Sequence, residues 1–171
     1  DDEQPPAAQP VDVEVALASW DEIEEAIAEN SGKVVVVDLW STSCPPCKRE
    51  FPHLVELHHQ HDATQLTCMS VSLDYYGDPT EPPESFQSAV SEFLTEKEAT
   101  FPNFICTDSS DDVYTKIQSF GVPIVLVYSP DGKLAKLFED DGSYGEEGFT
   151  YADHIEPLVT ERIEAQAEPA G

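Results

Sequence analysis

The chain has 171 residues, 40% of them hydrophobic, which is enough for one domain with a real core and short tails. Its 35 acidic and 8 basic side chains give a formal net charge of −27, so DNA, RNA and anionic bilayer surfaces would repel it. No apolar run approaches the length of a membrane span, and four cysteines are too few to staple a domain of this size. The acidity reads as a solvated surface that keeps a monomer dispersed, with a cationic partner as the alternative.

Residues 1–10, DDEQPPAAQP, have the composition of a linker and are expected to form a disordered leader. The chain opens on Asp1 without a Met or a basic-then-apolar signal, the pattern of a mature or trimmed product whose precursor carried a signal or anchor. Val11, Val13, Val15 and Leu17 alternate with polar or small residues and predict a half-buried edge strand. Ser19-Trp20-Asp21-Glu22 has the form of a capping box. A helix is expected from there to Asn30, with Trp20, Ile23, Ala26 and Ile27 inward and Ser31-Gly32 ending it.

Val34 to Trp40 is a buried strand, followed by a polar turn at Ser41–Ser43 and then Cys44-Pro45-Pro46-Cys47. Phe51, Leu54, Val55 and Leu57 recur at helical spacing, so the cysteine pair falls at a strand-to-helix junction, with Cys44 as cap and Cys47 one turn inside. Pro45 and Pro46 suit a first helical turn, where a missing N–H costs nothing. Further on, Leu66–Asp74 reads as a second buried strand, Tyr75–Pro83 as a loop and Ser85–Thr100 as a helix. Phe101–Thr107 is another short strand, and Ser109–Phe120 a helix capped by Ser109 or Ser110. Ile124–Tyr128 is a strand and Ser129–Gly132 a hairpin turn into Lys133–Phe138. Glu139–Gly148 is an acidic loop, Tyr151–Ala165 a closing helix, and 166–171 a flexible tail. Strands alternating with helices, then a hairpin and a last helix, give an α/β layer fold with a mixed sheet in one domain over 11–165.

A cysteine at a helix start is favoured as a thiolate by unpaired N–H groups and the helix dipole, and the thiolate is the attacking species in disulfide exchange. The competing readings of Cys44 and Cys47 are a structural disulfide and half a zinc site. Zinc needs four ligands, whereas Cys68 and Cys106 lie singly in predicted strands and no second Cys-x-x-Cys exists. Redox chemistry is therefore the reading. Cys68 and Cys106 are expected to behave as small buried hydrophobes, and a bond between them stays open if their strands are neighbours. His53, His58, His59 and His61 read as a solvated helix end, although His58 and His61 share a face that would suit a metal.

The string VVVVDLWSTSCPPCKREFP, together with GVPIVLVYSPDGKL, resembles the thioredoxin superfamily, and within it the TlpA/ResA-type extracytoplasmic thiol–disulfide oxidoreductases. The resemblance spans about Val13 to Ala165. It implies a three-layer thioredoxin-like fold, a mixed central sheet with helices on both faces, and a TlpA/peroxiredoxin-type helix–strand insertion at about 75–108. It makes Cys44 the exposed nucleophile and Cys47 the buried resolving thiol of a redox-active disulfide, with no metal and no cofactor beyond the dithiol. Asp38 matches the buried Asp beneath the thioredoxin site, where TlpA-type proteins more often have Asn. Glu50 matches an acid kept near the pair, and the two carboxylates together lean towards a reductase. Pro123 matches the family's cis-proline, with Val122 presenting backbone to substrate. Ser43 stands where Trp is common, which removes an apolar cover from the docking surface, and Trp40, grouped with Pro123, Val122 and Ser43 as substrate-binding, is expected to shield the pair from beneath.

The implied function is reduction of disulfides in exported proteins, cytochrome c apoproteins being one substrate in the family, with electrons from a membrane thiol reductant. The implied place is the bacterial periplasm or cell envelope, with an anchor in the full-length precursor. Two alternatives remain at this point. One is a disulfide oxidant of the same fold. The other is a metal-binding or metallochaperone module using Cys44, Cys47 and the histidines.

Overall fold

The computed structural model describes residues 12–167. The leader expected over residues 1–10 and the last part of the tail, 168–171, lie outside the described residues. Six strands form one sheet: β1 (Val15–Ala18), β2 (Val34–Trp40), β3 (Leu66–Ser72), β4 (Asn103–Cys106), β5 (Ile124–Tyr128) and β6 (Leu134–Glu139). Their spatial order is β1-β4-β3-β2-β5-β6, with β1, β4, β3 and β2 parallel, β5 antiparallel to β2, and β6 antiparallel to β5. The sheet is therefore mixed. β2 lies at its middle and is buried along its whole length, which is why its sequence is a continuous apolar run broken only by Asp38.

Alternate β2 residues feed two cores. Val34, Val36 and Trp40 join α2 (Pro45–Gln60), α3 (Gln87–Glu96) and α5 (Glu156–Ala167) on one face. Val35, Val37 and Leu39 join α1 (Trp20–Glu29) and α4 (Ser110–Ile117) on the other. The helices thus cover both faces and complete three layers. Full burial of a side chain such as Phe51, Leu54 or Ile23 contributes about 1.5–3 kcal/mol of transfer free energy, and these residues are 0% exposed.

Local signals are met in kind. Ser19 caps α1 through a reciprocal capping box with Glu22, its Oγ accepting from the Glu22 N–H at 3.2 Å while Glu22 accepts from the Ser19 N–H at 3.2 Å. Ser109 caps α4 by accepting from the Asp112 N–H. Within the expected insertion a 3₁₀ turn (Pro83–Phe86) leads into α3 and then β4, which is wedged between β1 and β3. The closing helix differs from the expectation. It begins as a wide π turn over Tyr151–Ile155 and continues as α5 to Ala167, so Gln166 and Ala167, expected in the tail, are helical.

Cys68 and Cys106 are both free. Their strands are neighbours, but Ile105 pairs with Ser72, which puts Cys106 level with Leu73, an odd number of positions from Cys68. The two thiols consequently sit in opposite cores, Cys68 with Cys47 and Cys106 with Trp20, separated by the sheet.

Candidate active site

Cys44 is the N-cap of α2, with extended backbone (φ −108°, ψ 98°), and its Sγ accepts from the Cys47 N–H at 3.3 Å. Cys44 and Cys47 are joined by a disulfide with their Cα atoms 5.3 Å apart. Cys44 is 9% exposed and Cys47 2%, so Cys44 is the more accessible sulfur, though less open than the expected exposed nucleophile. Apolar packing holds the pair in place. Phe51, one turn past Cys47, packs tilted against Trp40 with centroids 5.4 Å apart, and Trp40 meets Phe93 of α3 at 4.8 Å.

Trp40 itself is 0% exposed. It lies beneath the pair as a core residue and has no surface to offer a substrate, which corrects its placement among substrate-binding residues. Ser43 is exposed in the turn before Cys44. The Val122–Pro123 peptide bond is cis, Val122 is half-buried, and Pro123 forms part of the same cavity wall as Cys47.

That cavity, about 440 Å³, runs between the start of α2, β2, β5 and the π turn, and its walls include Asp38, Cys47, Glu50, Pro123 and Tyr151. Asp38 points to the α2 side of the sheet and is 3% exposed. Burial pushes its carboxyl up to about 7; the Tyr151 hydrogen bond opposes the rise, and the neighbouring Glu50 adds to it. The Tyr151 hydroxyl donates to Asp38 Oδ2 at 2.6 Å, while the Tyr151 N–H donates to Glu50 Oε2 at 3.2 Å. One tyrosine therefore bridges the two carboxylates that the sequence singles out. Its phenol is itself held well above its ordinary value by burial and by Asp38, so it remains a donor. Burial, with Asp38 adding, also pushes up the Cys68 thiol on β3.

Tyr151 is the residue that sequence reasoning missed. Thr150 caps the π turn by accepting from the Asp153 N–H at 3.1 Å, and that cap marks where the helix begins. Nothing local says that the next side chain reaches a carboxylate 113 residues away. The acidic loop is also more than a solvated connection. Asp140 Oδ1 accepts from the Phe149 N–H at 3.0 Å, and Tyr144 packs on Phe138, Phe149 and His154. Gly148 suits this place: its φ of +77° is one that L side chains rarely adopt, and a Cβ there would displace the Asp140 carboxylate. The anchored loop holds Asp140, Glu146 and Glu147 at the cavity rim.

On the other side of Pro123, Pro46, Phe120, Gly121 and Val122 border a shallower cleft of about 320 Å³. Phe120 is 90% exposed, the most open large apolar side chain among the described residues. The histidines lie elsewhere. His58 meets the Phe101 ring edge-on at 5.4 Å, and His53 pairs with Glu56 at 3.3 Å. Among the described residues no group of three or more His, Cys, Asp or Glu is arranged to hold a metal ion.

A buried, disulfide-bonded cysteine pair at a helix start, beside a cis-proline in a mixed sheet with helices on both faces, defines a thioredoxin-like site. Solved structures agree on the fold: a thiol-disulfide isomerase from Corynebacterium glutamicum superposes with a TM-score of 0.63, covering 92% of this chain and 98% of that one at 17% identity. A thioredoxin-like superfamily protein gives 0.62 over 85% and 87% of the two chains at 16% identity. The chain belongs to the AhpC/TSA family, whose model matches residues 8–137. Curated relatives include the sporulation thiol-disulfide oxidoreductase A of Bacillus subtilis, 25% identical over 75% of this chain and 72% of that one. The thiol-disulfide oxidoreductase ResA of Oceanobacillus iheyensis is 24% identical over 66% of this chain and 53% of its own length. The chain therefore spans about half the length of that ResA relative.

Proposed function

We propose that the protein is a thiol–disulfide oxidoreductase that reduces disulfides in exported proteins. The observation that carries this reading is the Cys44–Cys47 pair at the start of α2, with Cys47 facing the same cavity as a buried Asp38 poised near neutrality. In the reduced protein the Cys44 thiolate attacks one sulfur of the substrate disulfide, and the other sulfur leaves as a thiolate. Cys47 then loses its proton to Asp38, through water that the cavity is large enough to admit, and attacks Cys44 Sγ. The second substrate sulfur leaves, and the Cys44–Cys47 disulfide closes. The substrate gains two electrons and the dithiol loses two, so an external thiol reductant must restore it.

The names of the curated relatives support oxidoreductase chemistry, and their resemblance to this chain supports an extracytoplasmic setting, where protein disulfides are abundant. The dithiol is the only redox group the reading requires. We take the partners to be a disulfide-bearing exported polypeptide, with cytochrome c apoprotein as one candidate, and a membrane thiol reductant. Val122 and Ser43 would present backbone and hydroxyl to the incoming chain, with the protein acting as a monomer.

Reduction of insulin driven by dithiothreitol tests this directly. The native protein is expected to accelerate it and Cys44→Ser to abolish the acceleration. Native rates in the variant would overturn the assignment of the nucleophile, and faster oxidation of a reduced peptide than reduction of insulin would reverse the direction.

A further inference from the structure

Ser41, Thr42 and Ser43 form the turn that delivers Cys44 to the start of α2, and the carboxylate of Asp74, just past β3, lies beneath it, 8% exposed. Asp74 Oδ1 accepts three hydrogen bonds from this turn: from the Thr42 N–H at 2.9 Å, the Thr42 hydroxyl at 2.6 Å and the Ser41 hydroxyl at 3.2 Å. Its other oxygen accepts from the Ser72 hydroxyl, which in return accepts from the Asp74 N–H at 3.3 Å. The pattern continues to the nucleophile. Ser41 Oγ accepts from the Ser43 N–H at 3.1 Å and lies 2.8 Å from Ser43 Oγ, while the Ser41 carbonyl accepts from the Cys44 N–H at 3.1 Å. A single buried acceptor thus holds Thr42 and Ser41, and Ser41 in turn ties both Ser43 and Cys44 in place.

We propose that Asp74 is a positioning residue for the nucleophile: by gathering the donors of the Ser41–Ser43 turn it fixes Cys44 at the helix N-terminus, where the sulfur meets the Cys47 N–H. The proposal rests on the reading of Cys44 as nucleophile given above. A carboxyl oxygen suits the place because it only accepts, so the converging donors can share it, whereas a hydroxyl would bring a proton of its own into the cluster. The charge works against the thiolate, so the role is one of geometry. Beside this cluster, Lys48 follows Cys44 on α2, its N–H donating to the Cys44 carbonyl at 3.1 Å.

The test is the alkylation rate of Cys44 by iodoacetamide in the reduced full chain at pH 7, read by mass spectrometry beside the melting temperature. Asp74→Ala is expected to slow Cys44 about tenfold, whereas Asp74→Asn, which keeps the Oδ1 acceptor, stays within about threefold of native. Amide exchange at Thr42 should lose its protection in the Ala variant and keep it in the Asn variant. Should Asp74→Ala not fold, Thr42→Val removes one donor to Oδ1 and is expected to slow Cys44 about threefold. Unchanged alkylation with a lowered melting temperature, in either truncation, would reduce Asp74 to an ordinary structural residue. Faster alkylation in Asp74→Ala, or an Asn variant as slow as Ala, would show that the charge matters and overturn the proposal. If instead Cys44 of the native protein reacts no faster than a free cysteine, it is the nucleophile assignment that fails.

Discussion

Ser43, directly before Cys44, is exposed, whereas Trp40, three positions before Ser43, is fully buried against Phe51 and Phe93. The exposed aromatic beside the site comes from elsewhere: Phe120, at the end of the segment before the cis-proline, borders the cleft that continues past Pro46 and Pro123. An aromatic ring held in water next to a reactive pair is suited to grip an extended polypeptide. Phe120→Ser is therefore expected to raise KM for a protein disulfide several-fold, roughly the loss of one partly buried apolar contact, with kcat and the reduction of the Cys44–Cys47 pair by dithiothreitol unchanged. An unchanged KM would remove Phe120 from the docking surface. Trp40 and Phe120 show how burial decides between aromatic residues that composition alone treats alike.

At the scale of elements, the π turn is what completes the site. It swings Tyr151 under the start of α2, so that its hydroxyl reaches Asp38 on β2 while its N–H reaches Glu50 on α2. The hydrogen bond to Asp38 favours the carboxylate, so removing it should push the Asp38 carboxyl above about 7. Tyr151→Phe is expected to move the pH–rate profile of insulin reduction to higher pH and to slow the reaction at pH 7 by about three- to tenfold, because less of the base is available. A profile that stays in place would detach Tyr151 from the chemistry. This link explains what the sequence left illegible. The β2 run, the Ser19 box, the α2 stripe and the position of Cys44 follow from patterns a few residues long, and each forms where its pattern says. The Tyr151–Asp38 bond, the Asp74 clamp and the separation of Cys68 from Cys106 depend on which strands end up adjacent and in what register. No local periodicity encodes that.

For the whole molecule, a buried acid with a raised pKa carries a stability cost whose sign is fixed. Between the ordinary value of 3.8 and about 7, the folded protein binds the Asp38 proton while the unfolded chain releases it. The stability present at low pH is therefore lost as pH rises through that window, by about 4 kcal/mol for a shift of this size. The net charge of −27 adds self-repulsion in the same direction, with only two lysine–carboxylate pairs among the described residues to offset it. Comparison with Asp38→Asn isolates the single group. Denaturant unfolding of the oxidised protein should show the native chain losing stability relative to the variant from about pH 4 to pH 7, and a constant difference would contradict a raised Asp38.

The division of labour between the two sulfurs is tested most directly by trapping. When the reduced variants are mixed with a disulfide-bearing protein and quenched with acid, Cys47→Ser should accumulate a mixed disulfide through Cys44, visible on a non-reducing gel, because nothing resolves it. Cys44→Ser should form none. An adduct through Cys47 in Cys44→Ser, or no adduct in Cys47→Ser, would contradict the assignment of Cys44 as the attacking thiol and Cys47 as the resolving one.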